Sequence, residues 1–493
     1  MVVYSEHTQW AVGQGFFRTG RILASETKLP ASRSKASANS WPNSREINYI
    51  YDCGSTSDIA ALESEIRYYA NYLVKHSYNY VRNVKPQIDV MYISHFHLDH
   101  INGIKRLHDV VDIKVFVIPL VDPIARLLSI AESVYHGSGG GLEPSGIVSQ
   151  VEALRESSDN GLDGIENDDD LDEFPPDISE WEATFISSPA EALQELGSPE
   201  IIQVPPAEST PIDQEYPEES LYEIELESVL ATDRETEWEW EIDHSGNAKL
   251  LVGLDSGAAI PVWIWQTYQL QGAKPYIPKF RAELAKARNL TVIELEKKLT
   301  DKNFIYDLVR NHFTELVKAY ADALPKGNRY NISSLCLYSG PASIVGIHPR
   351  MQSWRCRPAE FARSEIGAWD VRPGWLGTGD APTKPQKTKS ATKTVDELQA
   401  IKDWLGKHAR NVGSLALPHH GAKGDLDLGL LSENLWEGQP VCFISARTQI
   451  NGISKFRHPN PETVSAVADH GLHLVCVSEN PNSRWTLAAR SRL

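Results

Sequence analysis

Ser94-His95-Phe96-His97-Leu98-Asp99-His100 follows the apolar run Ile88-Asp89-Val90-Met91-Tyr92-Ile93 and precedes Ile101-Asn102-Gly103-Ile104-Lys105-Arg106-Leu107. The run before it has the composition of a short buried strand, and the segment after it reads as the start of a helix. Four imidazole and carboxylate side chains thus fall within six residues, in the turn between a strand and a helix. These are ligands that divalent transition metals favour, and such a turn points alternate side chains into one pocket. His95 and His97, two apart, can hold one ion, while Asp99 and His100 can reach a second. A histidine-rich surface turn is the plain alternative; spacing, strand and helix together argue against it.

Outward from this turn, strands alternate with helices, which indicates a layered α/β fold. Towards the N-terminus, Gln9 to Val12 and Phe16 to Thr19 read as strands around Gly13-Gln14-Gly15, where glycines permit a tight turn or close backbone approach to a ligand. Ile47 to Gly54 reads as a strand ending in a glycine turn, and Asp58 to Lys75 has helical apolar spacing. Beyond the motif come a strand at Lys114 to Leu120 and a helix at Pro123 to Tyr135. The pattern resumes with strands at Ser334 to Ser339, Ser414 to Leu417, Val441 to Ser445 and Leu472 to Val477, and helices at Val395 to Arg410 and Pro461 to His470.

The 493 residues suffice for a large core in two or three domains. No apolar run is long enough to span a bilayer, and the N-terminus lacks the form of a signal peptide, so a cytoplasmic protein without a membrane partner is expected. Cys53, Cys336, Cys356, Cys442 and Cys476 have no CxxC spacing. Cys53, Cys336, Cys442 and Cys476 lie in or beside apolar runs and read as buried free thiols. The net charge of −18 is misleading as an average: residues 151–240 hold 28 acidic residues and only two basic ones, leaving 46 basic against 38 acidic elsewhere. A mildly basic body permits a polyanionic substrate. The acidic segment reads as a solvated surface, with a protein-docking arm or a nucleic-acid mimic covering the site as sharper alternatives. Phe280 to Ala287, Val292 to Leu299 and Lys302 to Leu324 read as helices. Their Lys279, Arg281, Lys286, Arg288, Lys297, Lys298 and Lys302 make either a basic wall over a cleft or ordinary exposed helix charges.

Two further segments end strands with metal-competent groups: Asp380, in Gly374-Trp375-Leu376-Gly377-Thr378-Gly379-Asp380, and His419-His420 before Gly421. Two ions need a shared anionic ligand to offset their repulsion, and a single Asp on its own strand is suited to bridge them. Gly13-Gln14-Gly15, Tyr51-Asp52-Cys53-Gly54, the HxHxDH turn, Asn331 to Leu337, Leu376 to Ala381, Leu417-Pro418-His419-His420-Gly421 and Arg457-His458-Pro459 occur in the order seen in ComEC-like domains of the metallo-β-lactamase superfamily. The resemblance covers about residues 8–135 and 330–493. It implies an αββα sandwich with a two-metal cleft and a nuclease or phosphodiesterase activity. The expected layout is a first half of the core over 1–137 and an acidic, partly disordered insertion over 138–245. A strand plus helical cap follows over 246–328, then the second half of the core over 329–493.

Carried over by resemblance, His95 and His97 hold the first ion, Asp99 and His100 the second, Asp380 bridges and His420 completes the set. His419 is then a neighbour of the ligands or a ligand itself. His458 would lie near the substrate phosphate or cap a helix. Asp99 or a neighbouring histidine would manage the proton, and His458 or a cap lysine would stabilise developing negative charge. The chain departs from the pattern in two places. Ala11 and Phe16 stand where acidic residues usually flank Gly-Gln-Gly. The histidine that many superfamily members supply before the bridging Asp has no clear counterpart; His244 is a candidate, or a hairpin-turn residue. The expected cofactors are two divalent ions, zinc or manganese. The expected substrate is a nucleic acid, with DNA favoured, and the acidic insertion is a candidate site for a protein partner. The rival readings are a hydrolase of a small ester, lactone or phosphoester, and a regulatory subunit of a multi-protein complex, for example in defence.

Overall fold

A computed structural model describes residues 2–25, 44–77, 84–137, 178–197, 199–207, 238–253, 259–270, 277–323, 334–342, 372–383, 396–422, 425–436, 438–447 and 459–492. Two mixed sheets face each other. The first has seven strands in the order β15-β1-β2-β3-β4-β5-β6: β1 Val2–Gln9, β2 Phe17–Ser25, β3 Ser44–Cys53, β4 Gln87–Tyr92, β5 Asp112–Pro119, β6 Glu200–Val204 and β15 Trp485–Arg492. The second has eight in the order β14-β13-β12-β11-β10-β9-β8-β7: β7 Trp238–Ile242, β8 Ala248–Gly253, β9 Ala259–Gln269, β10 Leu335–Pro341, β11 Gly374–Gly377, β12 Val412–Ala416, β13 Val441–Ser445 and β14 His473–Val477. In each sheet an antiparallel half runs into a parallel half, β3 to β6 in one and β11 to β14 in the other.

The period-two alternation of the strands sorts side chains between two cores. From β3 and β4, Tyr49, Tyr51, Val90 and Tyr92 point between the sheets, where they meet Trp263, Trp265, Leu337, Trp375 and Phe443 from the second sheet. The intervening Ile50 and Met91 point the other way, into a helical layer, where Cys53 and Ile88 at the strand ends join them. That layer includes α1 (Ile59–His76), whose Asp58 accepts from the Ala61 N–H and whose Leu62, Ile66, Tyr69 and Leu73 form its buried stripe. It also includes α2 (Leu98–Ile101), α3 (Ile104–Val110) and α4 (Pro123–Gly137). A third core covers the outside of the second sheet with α11 (Glu397–Leu405) and α12 (Pro461–Asp469). The layering is therefore helices, sheet, sheet, helices.

Several elements differ from what the sequence suggests. The first strand is β1, which ends at Gln9, and residues 10–16 are its connection to β2. β1 pairs on both edges, with β2 and β15, which buries Ser5, His7, Thr8 and Gln9; polarity along the chain hid this. Within the acidic stretch, residues 178–207 form α5 (Glu180–Ser187), α6 (Pro189–Gln194) and the edge strand β6. Trp181, Ala183, Phe185, Ile186, Ala192 and Leu193 are buried in the helical core, an apolar stripe masked by the average charge. β7, likewise inside the expected insertion, and β8, the strand expected just after it, both belong to the second sheet.

The expected helical block is four helices, α7 (Ile277–Ala287), α8 (Val292–Lys298), α9 (Lys302–Asn311) and α10 (Phe313–Ala323), with a break at His312 between Asp307 and Glu315. They extend the layer formed by α4 and α5. Most of their basic groups have local partners: Arg281 pairs with Glu296, Lys286 with Glu283, Arg288 with Glu315 and Lys302 with Glu191, while Lys298 lies over Phe304. That pattern fits exposed helix charges better than a basic wall. The helix expected to reach Arg410 stops at Leu405, because Gly406 enters the left-handed region and a 3-10 turn follows. Cys53, Cys336 and Cys442 are buried free thiols, whereas Cys476, on the outermost strand of the second sheet, is exposed. Among the described residues no helix is long and apolar enough to cross a membrane.

Candidate metal centre

The carboxyl ends of the two parallel halves meet at one edge of the sandwich, the place where open α/β sheets bind ligands. β4 delivers residues 94–97 and the short α2, which carries Asp99 and His100. β11 delivers Asp380 and β12 delivers His419 and His420. All seven side chains are buried or nearly so. The turn is held from behind by backbone. The Phe16 N–H donates to both Gly54 O and Asp99 O, at 3.1 and 3.0 Å. A Cβ on Gly54 would lie 2.6 to 2.7 Å from the Asp99 carbonyl and the His100 nitrogen. The Gly-Gln-Gly segment thus makes its close approach to the metal turn itself, with Gly15 against Gly54 and Asp99.

Asp380 stands at the centre. Its Oδ2 lies 3.4 Å from both His95 Nε2 and His97 Nδ1, and its Oδ1 lies 3.4 Å from His100 Nε2. His95, His97 and Asp380 can converge on one ion, and Asp99, His100 and His420 on another: within each set the donor atoms lie within 4.8 Å of one another. His420 Nε2 is 3.1 Å from Asp99 Oδ2. The Nε2 atoms of His95 and His100, the nitrogens that face Asp380, are buried without a hydrogen-bond partner, an arrangement that is costly in a closed protein interior and suits nitrogens shaped for a cation. The donor set therefore fits divalent metal.

Outer contacts fix the rings. Asp52, at φ 58° on the end of β3, accepts from Ser94 N and Ser94 Oγ, both at 2.6 Å, and bonds His100 Nδ1 at 2.8 Å. Ser94 Oγ also lies 2.8 Å from His95 Nδ1. His420 Nδ1 donates to Ser445 O at 2.7 Å, and His419 Nδ1 meets Asp425 Oδ2 at 2.8 Å. Bonds of this kind choose the tautomer and leave the other nitrogen as the donor. His419 and His420 are consecutive residues in the left-handed region (φ 46° and 52°), followed by Gly421 at φ 78°. Phe16 stacks parallel on the His100 ring at 6.0 Å, filling the position where the resemblance leads one to expect an acidic side chain.

Burial would raise the carboxyl of Asp380, but His419, His95 and His100 around it outweigh burial and hold it well below the usual range. Asp99 is likewise held down, by His100 and by the His420 ring beside it, against burial. Burial, with His100 and His97 beside it, pushes His95 down to about 3, and burial lowers His97 too. At neutral pH the carboxylates are thus charged and these two imidazoles neutral, whereas, against burial, Asp99, Asp52 and Asp380 hold His100 well above the usual imidazole range, so a cation there must displace its proton.

His95, His97, Asp99, His100, Asp380 and His420, singled out in the sequence, come together. His419 adjoins them, with Nε2 3.9 Å from Asp380 Oδ2. His458 lies outside the described residues. His244 sits exposed in the turn between β7 and β8 and takes no part. The contributions of Asp52, Ser94, Ser445 and Asp425 escape the sequence reading. Asp52 had a signal, as the acidic residue closing a strand before Cys-Gly. Asp425 had none: it is brought in by a loop tied to Thr383, whose N–H and hydroxyl both donate to Asp425 O.

Residues 43–200 match the family model for the metallo-beta-lactamase superfamily. The matched stretch holds the His95–His100 turn and strands β3 to β5 of the first sheet, and the superfamily it resembles is composed mostly of metal-dependent hydrolases. Among solved structures, a long-form RNase Z from yeast aligns over 54% of this chain and 27% of its own, at 10% identity and a TM-score of 0.15, a likeness too slight to speak to substrate. The present chain thus spans about a quarter of that protein. Comparison with curated proteins found no match.

Proposed function

We propose that the chain is a metal-dependent phosphodiesterase that cleaves nucleic acid, DNA in preference, using two divalent ions. The observation that carries this reading is the position of Asp380, whose two carboxylate oxygens face the two triads separately. One carboxylate shared in this way offsets the repulsion of two cations held close together. When bound, two such ions lower the pKa of a water to near neutrality and offset charge on the non-bridging oxygens of a phosphodiester.

The remaining work falls to the chain's own groups. His95 and His97 present neutral nitrogens to one side, and His100, His420 and Asp99 face the other. Asp99, whose Oδ2 lies 3.1 Å from His420 Nε2, is proposed as the group that takes the proton from the attacking water. His458 is proposed as the group that faces the phosphate, on the resemblance alone. The preference for DNA rests on the resemblance to ComEC-like domains, which belong to DNA-uptake proteins and their relatives, while the mildly basic balance outside the acidic stretch permits a polyanion of either kind. The acidic residues of 138–245 are proposed as a docking segment for a partner protein that controls access.

Incubation of the purified chain with plasmid, single-stranded DNA and RNA in manganese, zinc or magnesium, beside Asp99→Ala, tests this. Metal-dependent cleavage by the wild type and none by the variant is expected. Turnover of a small ester or lactone with no cleavage of any nucleic acid would overturn it.

A further inference from the structure

We propose that His419, held by Asp425, is a fourth donor to the ion facing His95 and His97. The proposal rests on the two-ion reading above and extends it to a residue that neither triad contains.

His419 Nε2 lies 3.9 Å from Asp380 Oδ2, the same oxygen that stands 3.4 Å from His95 and from His97. The ring therefore approaches the side of Asp380 that serves the first ion, opposite the oxygen facing His100. Its other nitrogen is fixed by Asp425 Oδ2 at 2.8 Å, and Asp425 is itself buried and tied through its carbonyl to Thr383. A carboxylate on Nδ1 selects the tautomer with its lone pair on Nε2 and makes that nitrogen a stronger donor. His420 has a weaker version of the same support, from a backbone carbonyl.

The backbone argues in the same direction. Two consecutive left-handed residues without glycine are unusual, and such conformations persist where surrounding structure over-determines them, often at functional sites. This geometry turns both adjacent rings towards the same pair of carboxylates, His420 onto Asp99 and His419 onto Asp380. With His419 included, each ion has four protein donors, counting one oxygen of Asp380 each, which matches the coordination number zinc prefers. Other described histidines are spent elsewhere: His244 is exposed in a turn, and His312 pairs with Asp307 and Glu315.

The test compares wild type with His419→Asn, which accepts the left-handed backbone, and Asp425→Asn, which preserves shape. Bound cobalt is counted by elemental analysis, and the affinity of each equivalent is measured by competition with a chelator. The wild type is expected to hold two equivalents. His419→Asn should weaken one at least tenfold and leave the other unchanged, and Asp425→Asn should weaken the same one by about 10- to 100-fold. The affected equivalent should be the one lost in His95→Ala, and the double variant should lose no further ion. Two equivalents at wild-type affinity in His419→Asn overturn the assignment while leaving the two-ion reading intact. Fewer than two in wild type overturn both.

Discussion

Asp52→Asn isolates one outer contact of the centre. Asp52 sits at φ 58°, where asparagine is as well tolerated as aspartate, so the backbone at the end of β3 is retained. The amide oxygen can still accept from Ser94 N, but the amide nitrogen then faces His100 Nδ1, where a carboxylate oxygen stood at 2.8 Å. A donor there favours the tautomer with the proton on Nε2, the nitrogen aimed at Asp380, and that tautomer cannot ligate. A hydrogen bond to a charged group contributes about 1.5–3 kcal/mol, roughly a 10- to 150-fold change in an equilibrium constant. Loss of such an outer partner lowers metal affinity by about 10–100-fold. One of two metal equivalents should therefore weaken by roughly that factor, measured by chelator competition, with circular dichroism unchanged. Binding of both equivalents within twofold of wild type would refute the claim that Asp52 sets the His100 tautomer.

Gly54→Ala should displace the metal turn, because its Cβ would meet backbone of Asp99 and His100 rather than a movable side chain; a fall of several degrees in melting temperature and at least tenfold weaker metal binding are expected. Phe185→Ala should cost about 3–5 kcal/mol in denaturant unfolding, the usual range for an emptied aromatic core site, since Phe185 is fully buried between Trp181 and Phe96. A loss below about 1 kcal/mol would show that α5 is not an integral part of the helical layer. Burial, with Lys407 nearby, pushes His408 down to about 4 in the folded chain. The unfolded chain takes up that proton first, so stability is full above about pH 6.5. It declines as pH falls towards 4, by up to about 3 kcal/mol. His408→Asn should flatten this part of the pH–stability curve, and an unchanged curve would contradict the assignment.

The donor residues were largely legible because the first four are packed into one strand-to-helix turn, and the other strand ends announce themselves with Gly-Asp and His-His-Gly. What connects them was not. Asp425 reaches His419 through loop closure onto Thr383, and Asp52 reaches His100 through the adjacency of β3 and β4; neither contact has a local sequence pattern. In the fold, strands with apolar alternation were recognisable, whereas β1 was obscured because pairing on both edges buries its polar side chains. The acidic stretch misled for the opposite reason. Its mean charge concealed the stripe of Trp181, Phe185 and Ile186, and with it a strand that extends the first sheet.

The most direct test of the central claim is to titrate manganese or zinc into metal-free chain and follow cleavage of a phosphodiester substrate against ions bound per chain. Cleavage should rise to a plateau at two equivalents and be absent at every ratio in Asp380→Ala. Full activity at one equivalent, or retained in that variant, would contradict a pair of ions bridged by Asp380.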